Sequence, residues 1–103
     1  MKTRIEIPRE RLAAFCRAWQ IRELALFGSV LGVDFGPDSD VDVLVRFDEK
    51  ARHTLFDLVH MEEELQAIFG RKVDLVSRRG IETSRNYLRR KAILGSAEVI
   101  YGS

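Results

Sequence analysis

Apolar and polar positions change their spacing several times along the chain, and each spacing predicts one element. After Pro8, whose fixed φ suits the first turn of a helix, apolar side chains recur at the i, i+3, i+4 and i+7 positions of one helical stripe. The stripe consists of Leu12, Phe15, Cys16 and Trp19. An apolar run over residues 24–27 then predicts a strand, and alternation over residues 40–47 predicts a second strand beyond a linker.

A second helix is predicted to begin after Thr54. This residue and Asp57 resemble a capping box, and Gly70 marks the end of the helical spacing. The apolar stripe consists of Leu55, Leu58, Val59, Leu65, Ile68 and Phe69, whereas Glu62, Glu63 and Glu64 are expected to form a solvated face. The remaining elements are a short strand over residues 72–76, a helix over residues 81–94 closed by Gly95, and a last strand over residues 97–101.

These elements predict an α/β (α+β) fold in which helices pack on a small mixed sheet of three to four strands. With 103 residues the chain has the length of one ordinary domain, which we expect to span residues 1–103. Its 46% hydrophobic and 32% charged residues are typical of a soluble globular protein with one modest core.

Charge and cysteine content argue against several classes of function. The chain has 17 basic and 16 acidic residues, a net charge of +1, whereas a protein dedicated to duplex DNA normally carries a marked basic excess. No apolar run approaches the roughly 20 residues of a membrane span, and the N-terminus lacks the pattern of a signal peptide. The single cysteine fits a reducing compartment. We therefore expect a cytoplasmic protein that binds neither membranes nor duplex DNA.

The alternating strand over residues 40–47 carries the first candidate chemistry. Side chains alternate between the two faces of a strand, so Asp40 and Asp42 project to one side and the intervening valines to the other. Two carboxylates about 5 Å apart repel each other by about 3 kcal/mol at an effective dielectric constant of ~20. A divalent cation would turn this repulsion into attraction, and all-oxygen ligands favour Mg²⁺ or Mn²⁺ over zinc.

Gly28 and Ser29 predict a phosphate-binding turn beside this pair. Without a Cβ at Gly28 the backbone can approach a phosphate, Ser29 adds a hydroxyl group, and a helix beginning there would direct free N–H groups at the anion. A third carboxylate, Asp74, interrupts the next predicted strand. If that strand pairs with the strand of Asp40 and Asp42, the three carboxylates converge; otherwise Asp74 is a surface residue at the sheet edge.

The residues Gly28-Ser29, followed by Pro37-Asp38-Ser39-Asp40-Val41-Asp42, resemble the GS…DxD signature of the DNA polymerase beta-like nucleotidyltransferases. The length of the chain and the sequence of residues 30–47 resemble those of the minimal nucleotidyltransferases (MNT), which are encoded as antitoxins beside HEPN-domain toxins. The sequence departs from many relatives at Gly32, where they carry arginine.

The resemblance implies a polymerase beta-like fold and specific roles for five residues. Asp40 and Asp42 would bridge two Mg²⁺ ions, with Mn²⁺ as an alternative, and Asp74 would complete one of them and accept the proton of the attacking hydroxyl group. Gly28 and Ser29 would hold the β- and γ-phosphates of ATP. The implied partner is a HEPN toxin, an RNase, and the implied reaction transfers AMP from ATP to a tyrosine hydroxyl group of that toxin.

Two other functions fit the same residues. The chain could be a catalytically weak nucleotide-binding antitoxin that neutralises its toxin by covering it, an interpretation to which Gly32 gives some weight. It could also be the catalytic subunit of a nucleotidyltransferase with a nucleic-acid or small-molecule acceptor. A basic cluster between Arg78 and Lys91 is either a solvated face or a contact for a triphosphate, an RNA or an acidic protein partner.

Overall fold

Four strands and four helices make up the described part of the chain, residues 7–28 and 40–102 of a computed structural model. In chain order they are α1 (Arg9–Ala18), β1 (Ile21–Phe27), β2 (Val41–Phe47), α2 (Leu55–Phe69), β3 (Val73–Ser77), α3 (Arg78–Glu82), α4 (Tyr87–Ser96) and β4 (Glu98–Tyr101). The strands form one sheet in the order β3-β2-β1-β4. Strand β1 is antiparallel to β2 and β4, and β2 is parallel to β3. The predicted mixed α/β sheet is therefore confirmed.

Helices cover both faces of this sheet, but unequally. The α1/α2 face holds the larger apolar cluster, which includes Met61 and Leu65 of α2 and the valines of β2. The α3/α4 face holds a smaller cluster, built from Ala25, Phe27, Leu44, Ile81 and Ile93. Cys16 is fully buried on the α1/α2 face, and burial raises the pKa of its thiol to about 12, so it is a core residue rather than a nucleophile.

Helix α2 begins and ends where the sequence predicts. The hydroxyl group of Thr54 accepts a hydrogen bond from the backbone N–H of Asp57, the Asp57 carboxylate accepts one from the Thr54 N–H, and Gly70 ends the helix in the left-handed conformation. The predicted apolar stripe is partly wrong, because Leu55 and Val59 are 79% and 55% exposed. Val59 lies about 160° around the helix from the buried Met61, which the prediction omitted.

Two of the three glutamates of α2 do more than face solvent. Glu62 is half-buried, and its Oε2 accepts a 3.4 Å hydrogen bond from the backbone N–H of Leu75 on β3. Glu64 is exposed, as expected, but its Oε2 accepts a hydrogen bond from the indole N–H of Trp19. These contacts tie α2 to the edge strand and to the end of α1, which sequence spacing does not reveal.

The single helix predicted over residues 81–94 is two helices, α3 and α4. The hydroxyl group of Thr83 donates to the carbonyl groups of Arg79 and Gly80 and ends the first helix, and the side chain of Asn86 caps the second by accepting from the Arg89 N–H. Polar side chains that bond the backbone in this way favour a break over a continuous helix. Gly95 lies inside α4, which ends at Ser96, so its predicted role as the closing residue is wrong.

One buried ion pair fixes α3 to the sheet. Glu23 of β1 is 6% exposed, and its Oε1 lies 3.0 Å from Nη1 of Arg78, the first residue of α3. The same guanidinium group lies 3.9 Å from the Glu82 carboxylate. Arg78 therefore has a structural role within the fold. None of the described helices is long and apolar enough to cross a bilayer.

Candidate active site

Strand register brings two of the predicted carboxylates together. In the parallel ladder of β2 and β3, Asp42 pairs with Asp74, and Val41 pairs with Val73. The two valines are buried in the α1/α2 cluster, so the two aspartates project from the α3/α4 face. Asp40 lies immediately before β2, at the same end of the sheet. The structure thus places all three acidic residues at the start of the two parallel strands, while their catalytic roles stay a prediction.

The three carboxylates are electrostatically coupled. Asp42 is half-buried, Asp40 is half-buried and Asp74 is exposed. Burial raises the pKa of Asp42 above its ordinary value, and the negative charges of Asp74 and then Asp40 raise it further. The charged form of Asp42 is therefore disfavoured unless a positive charge arrives.

Gly28 makes room for the carboxylate of Asp42. Phe27, the last residue of β1, pairs with Asp42, and Gly28 follows with a φ of 75°, a left-handed conformation that favours glycine. A Cβ at residue 28 would overlap Oδ2 of Asp42 and lie 3.3 Å from its Cγ. Sequence reasoning assigned Gly28 to phosphate approach only, and missed this contact because it depends on the β1–β2 register.

Part of the predicted site lies outside the described residues. These positions are Ser29, the linker segment with Pro37, Asp38 and Ser39, and Gly32. The predicted phosphate contact of Ser29 and the helix expected to begin beside it therefore stay predictions.

The described carboxylates fit a hard divalent cation. Their donor atoms are all oxygen. The raised pKa of Asp42 reflects its burial first and then the negative charges of Asp74 and Asp40, and a bound cation would offset both effects. Within residues 7–28 and 40–102, no three acidic, histidine or cysteine side chains form a ready-made metal cage. A cation held here would complete its coordination with water and substrate oxygen atoms, as Mg²⁺ usually does.

The basic end of the sheet lies away from these carboxylates. Arg78 follows β3 four residues after Asp74, roughly 13 Å along the strand, and it is already paired with Glu23. A cleft of about 740 Å³ lies at this opposite end, between α3, the start of α2 and the loop after β2. Its lining includes none of the three aspartates, so the cleft and the carboxylates are separate features of the sheet.

Comparisons with known proteins identify the family of this chain. Residues 9–99 match the nucleotidyltransferase domain family. The chain is 38% identical over 63 residues to the protein adenylyltransferase MntA of Thermococcus cleftensis, an alignment that covers 61% of this chain and 62% of that protein. The chain thus spans less than two thirds of the length of this relative.

Solved structures share the fold. A toxin–antitoxin crystal structure with AMP-PNP has a TM-score of 0.71 at 17% identity, covering 94% of this chain and 75% of that chain. A complex of a tri-AMPylated HEPN toxin from Shewanella oneidensis with its MNT antitoxin has a TM-score of 0.63 at 18% identity, covering 92% of this chain and 70% of that chain. With the family match extending over most of its length, this chain belongs to the nucleotidyltransferase domain family.

Proposed function

We propose that this chain transfers AMP from ATP to a tyrosine hydroxyl group of a HEPN-family toxin and thereby acts as its antitoxin. The observation that carries this proposal is the parallel pairing of Asp42 with Asp74, beside Asp40, at one end of the sheet. The names of its relatives support it: one is a protein adenylyltransferase, and one solved neighbour is an MNT antitoxin bound to an AMPylated HEPN toxin. Because the reaction consumes ATP, we place it in the cytoplasm.

Nucleotidyltransferases generally use divalent metal ions, and we propose two Mg²⁺ ions here, with Mn²⁺ as an alternative. Asp40, Asp42 and Asp74 would hold them, and the bound ions would supply charge neutralisation for the triphosphate and activate the hydroxyl group. Gly28 and Ser29 would contact the β- and γ-phosphates.

The transfer itself is a substitution at the α-phosphorus of ATP. The tyrosine oxygen forms a bond to this phosphorus, the bond from the phosphorus to the oxygen that bridges to the β-phosphate breaks, and pyrophosphate leaves. The tyrosine proton passes to the carboxylate of Asp74, whose exposed position lets it pass onward to water. Asp42, fixed between Gly28 and Asp74, would help to position the triphosphate through the cation that its carboxylate would bind.

The test is AMP transfer by matched aspartate variants. The purified chain is incubated with labelled ATP, Mg²⁺ and the HEPN-family protein encoded beside it, and the modified residue is mapped. Asp42→Asn should lower the transfer rate by at least about 100-fold, because it removes a charge from the metal-binding group. Asp48→Asn removes the same charge at the other end of β2 and should transfer at the native rate.

Other outcomes identify the alternative functions. If native chain adds no label and both it and Asp42→Asn still suppress toxicity, the chain is a binding antitoxin. If the label appears on an RNA or a small molecule, the acceptor is not the partner protein. The absence of any HEPN-family protein beside this chain would also contradict the proposal.

A further inference from the structure

Helix α4 presents an outer surface that no described part of the chain covers. Its inward side buries Ile93 in the α3/α4 cluster, and the opposite side carries Leu88, Lys91, Ala92 and Gly95, all of them exposed. We call these four residues the α4 outer surface. They occur at i, i+3, i+4 and i+7, so they form one continuous strip along the helix. Leu88, which is 77% exposed, is the large apolar side chain of this strip.

The surroundings of the α4 outer surface are strongly basic. Residues 78–91 contain six basic residues and one acidic residue, a net charge of +5. Arg78 is paired with Glu23, and Arg90 stacks over the Tyr87 ring and donates to the Ser84 carbonyl group. Within the described residues, no carboxylate pairs with the other four, which are Arg79, Arg85, Arg89 and Lys91.

Gly95 has no packing reason inside the described fold. A Cβ added there would meet no atom within 4 Å, and its φ is not in the left-handed region. Glycine inside a helix destabilises the helix by about 1 kcal/mol relative to alanine. The stability of this chain alone would therefore favour alanine over glycine at position 95. Gly95 and Ala92 leave a flat stretch of helix surface on the C-terminal side of Leu88. The backbone of another protein can approach this stretch closely.

The strip leads toward the carboxylates. Strand β4 follows α4 directly, and its Glu98 pairs with Leu26, next to Phe27, which pairs with Asp42. Ten residues of helix span about 15 Å. The C-terminal end of α4 therefore lies at the same end of the sheet as the carboxylates, about two strand spacings, roughly 10 Å, from Asp42. A protein lying along the α4 outer surface approaches the carboxylates at that end, on the face from which Asp42 and Asp74 project.

We propose that the α4 outer surface is the docking site of the acceptor protein, and that this protein offers an apolar recess for Leu88 with acidic side chains around it. The inference rests on the proposed function, since it names where the acceptor binds. Charge complementarity favours an acidic protein over a second copy of this chain, whose corresponding surface is equally basic. A protein also suits the site better than RNA, because the Leu88 methyl groups gain most from an apolar contact and one face of the Tyr87 ring is covered by Arg90.

The test compares two leucines with the same exposure on opposite sides of the sheet. Leu88 and Leu55 are 77% and 79% exposed, so Leu88→Asp and Leu55→Asp make the same change without disturbing the core. Dissociation constants for the HEPN-family protein encoded beside this chain are measured by calorimetry, and ATP binding is measured in parallel. We expect Leu88→Asp to weaken partner binding at least ~10-fold and Leu55→Asp less than ~2-fold, with ATP binding unchanged in both.

Each outcome decides the inference separately from the proposed function. Equal weakening by both variants, or weakening by Leu55→Asp alone, overturns the docking site even if AMP transfer occurs. Binding that depends on Leu88 supports the docking site even if no AMP is transferred, a result that would overturn the function instead. If single-stranded RNA competes with the partner protein and Lys91→Glu abolishes this competition, the occupant is RNA. If the chain self-associates and Leu88→Asp abolishes the self-association, the occupant is a second copy.

Discussion

Asp42 combines three constraints on a single side chain. It lies beside Asp74 in the parallel ladder, it fills the space that a Cβ on Gly28 would need, and it is half-buried. Burial and the two neighbouring negative charges raise its pKa, so the folded chain holds a proton on Asp42 more tightly than the unfolded chain does. A carboxylate with a pKa raised in this way is typical of a functional site, such as one that binds a cation.

The consequence is a pH dependence of stability in the metal-free chain. Below the ordinary aspartate pKa, Asp42 is protonated in both states and contributes nothing; as the pH rises through its raised pKa, the folded state loses stability. Asp42→Asn has no carboxyl group to ionise at this position, so its folded state does not lose this stability as the pH rises. In EDTA we therefore expect Asp42→Asn to have a higher Tm than native chain at neutral pH, and the difference to shrink at acidic pH.

Scanning calorimetry over this pH range measures the effect. Added Mg²⁺ should raise the Tm of native chain and leave that of Asp42→Asn nearly unchanged. A native chain that is more stable than Asp42→Asn in EDTA at neutral pH would contradict the assignment of repulsion at this residue.

Local sequence sets the ends of α2, and α2 in turn covers the sheet. Its capping box satisfies two backbone N–H groups, and its Met61 and Leu65 are fully buried on the α1/α2 face. Glu62 adds a hydrogen bond to the Leu75 N–H on the edge strand, next to Asp74. The position of β3, and with it the third carboxylate, thus depends partly on how α2 is held.

Removing the cap should weaken the whole fold. Thr54→Ala deletes the hydroxyl group that accepts from the Asp57 N–H, at an expected loss of about 1 kcal/mol in the free energy of unfolding. Thr54→Ser keeps the acceptor, and serine is at least as good an N-cap residue as threonine, so we expect the free energy of unfolding to stay nearly unchanged. Urea denaturation at neutral pH measures both. A Thr54→Ser variant as unstable as Thr54→Ala would mean that the methyl group, not the cap, matters.

On the scale of the whole molecule, a net charge of +1 conceals a strong separation of charge. Helix α2 carries four acidic and no Lys or Arg residues on one side of the sheet, while residues 78–91 carry a net charge of +5 on the other. Helix α1 adds three arginines and one glutamate, so the two helices of the α1/α2 face together carry a net charge of −2. An acidic partner is therefore attracted to the α3/α4 face rather than to the α1/α2 face. Overall composition cannot reveal this, because the two charges nearly cancel.

This separation predicts that partner association depends on salt. Raising ionic strength shortens the Debye length from about 8 Å at 0.15 M to about 3 Å at 1 M, so the association rate should fall at least ~10-fold. Lys91→Gln, on the α4 outer surface, should reduce this salt dependence. Lys50→Gln, an equal loss of charge in the loop after β2, should not. Stopped-flow measurement that finds equal slopes for the two variants would contradict steering by α4.

The sequence by itself determined most elements, the ends of α2, the family resemblance and the two-residue spacing that puts Asp40 and Asp42 on one side of a strand. These features arise from neighbouring residues, whose relative geometry is set by the local backbone period. The break between α3 and α4 could also have been read locally, since Thr83 and Asn86 are typical cap residues.

Only the tertiary structure decided which strands are neighbours. The pairing of Asp42 with Asp74, the contact of Gly28 with the Asp42 carboxylate and the burial of Glu23 under Arg78 join residues that are 14 to 55 positions apart. The exposure of Leu55 and Leu88 was decided in the same way, because a helical stripe is buried only where another element covers it. The spacing of residues along the chain determines to which side of a helix or strand each side chain projects. The packing of the elements against one another determines which of these side chains come into contact.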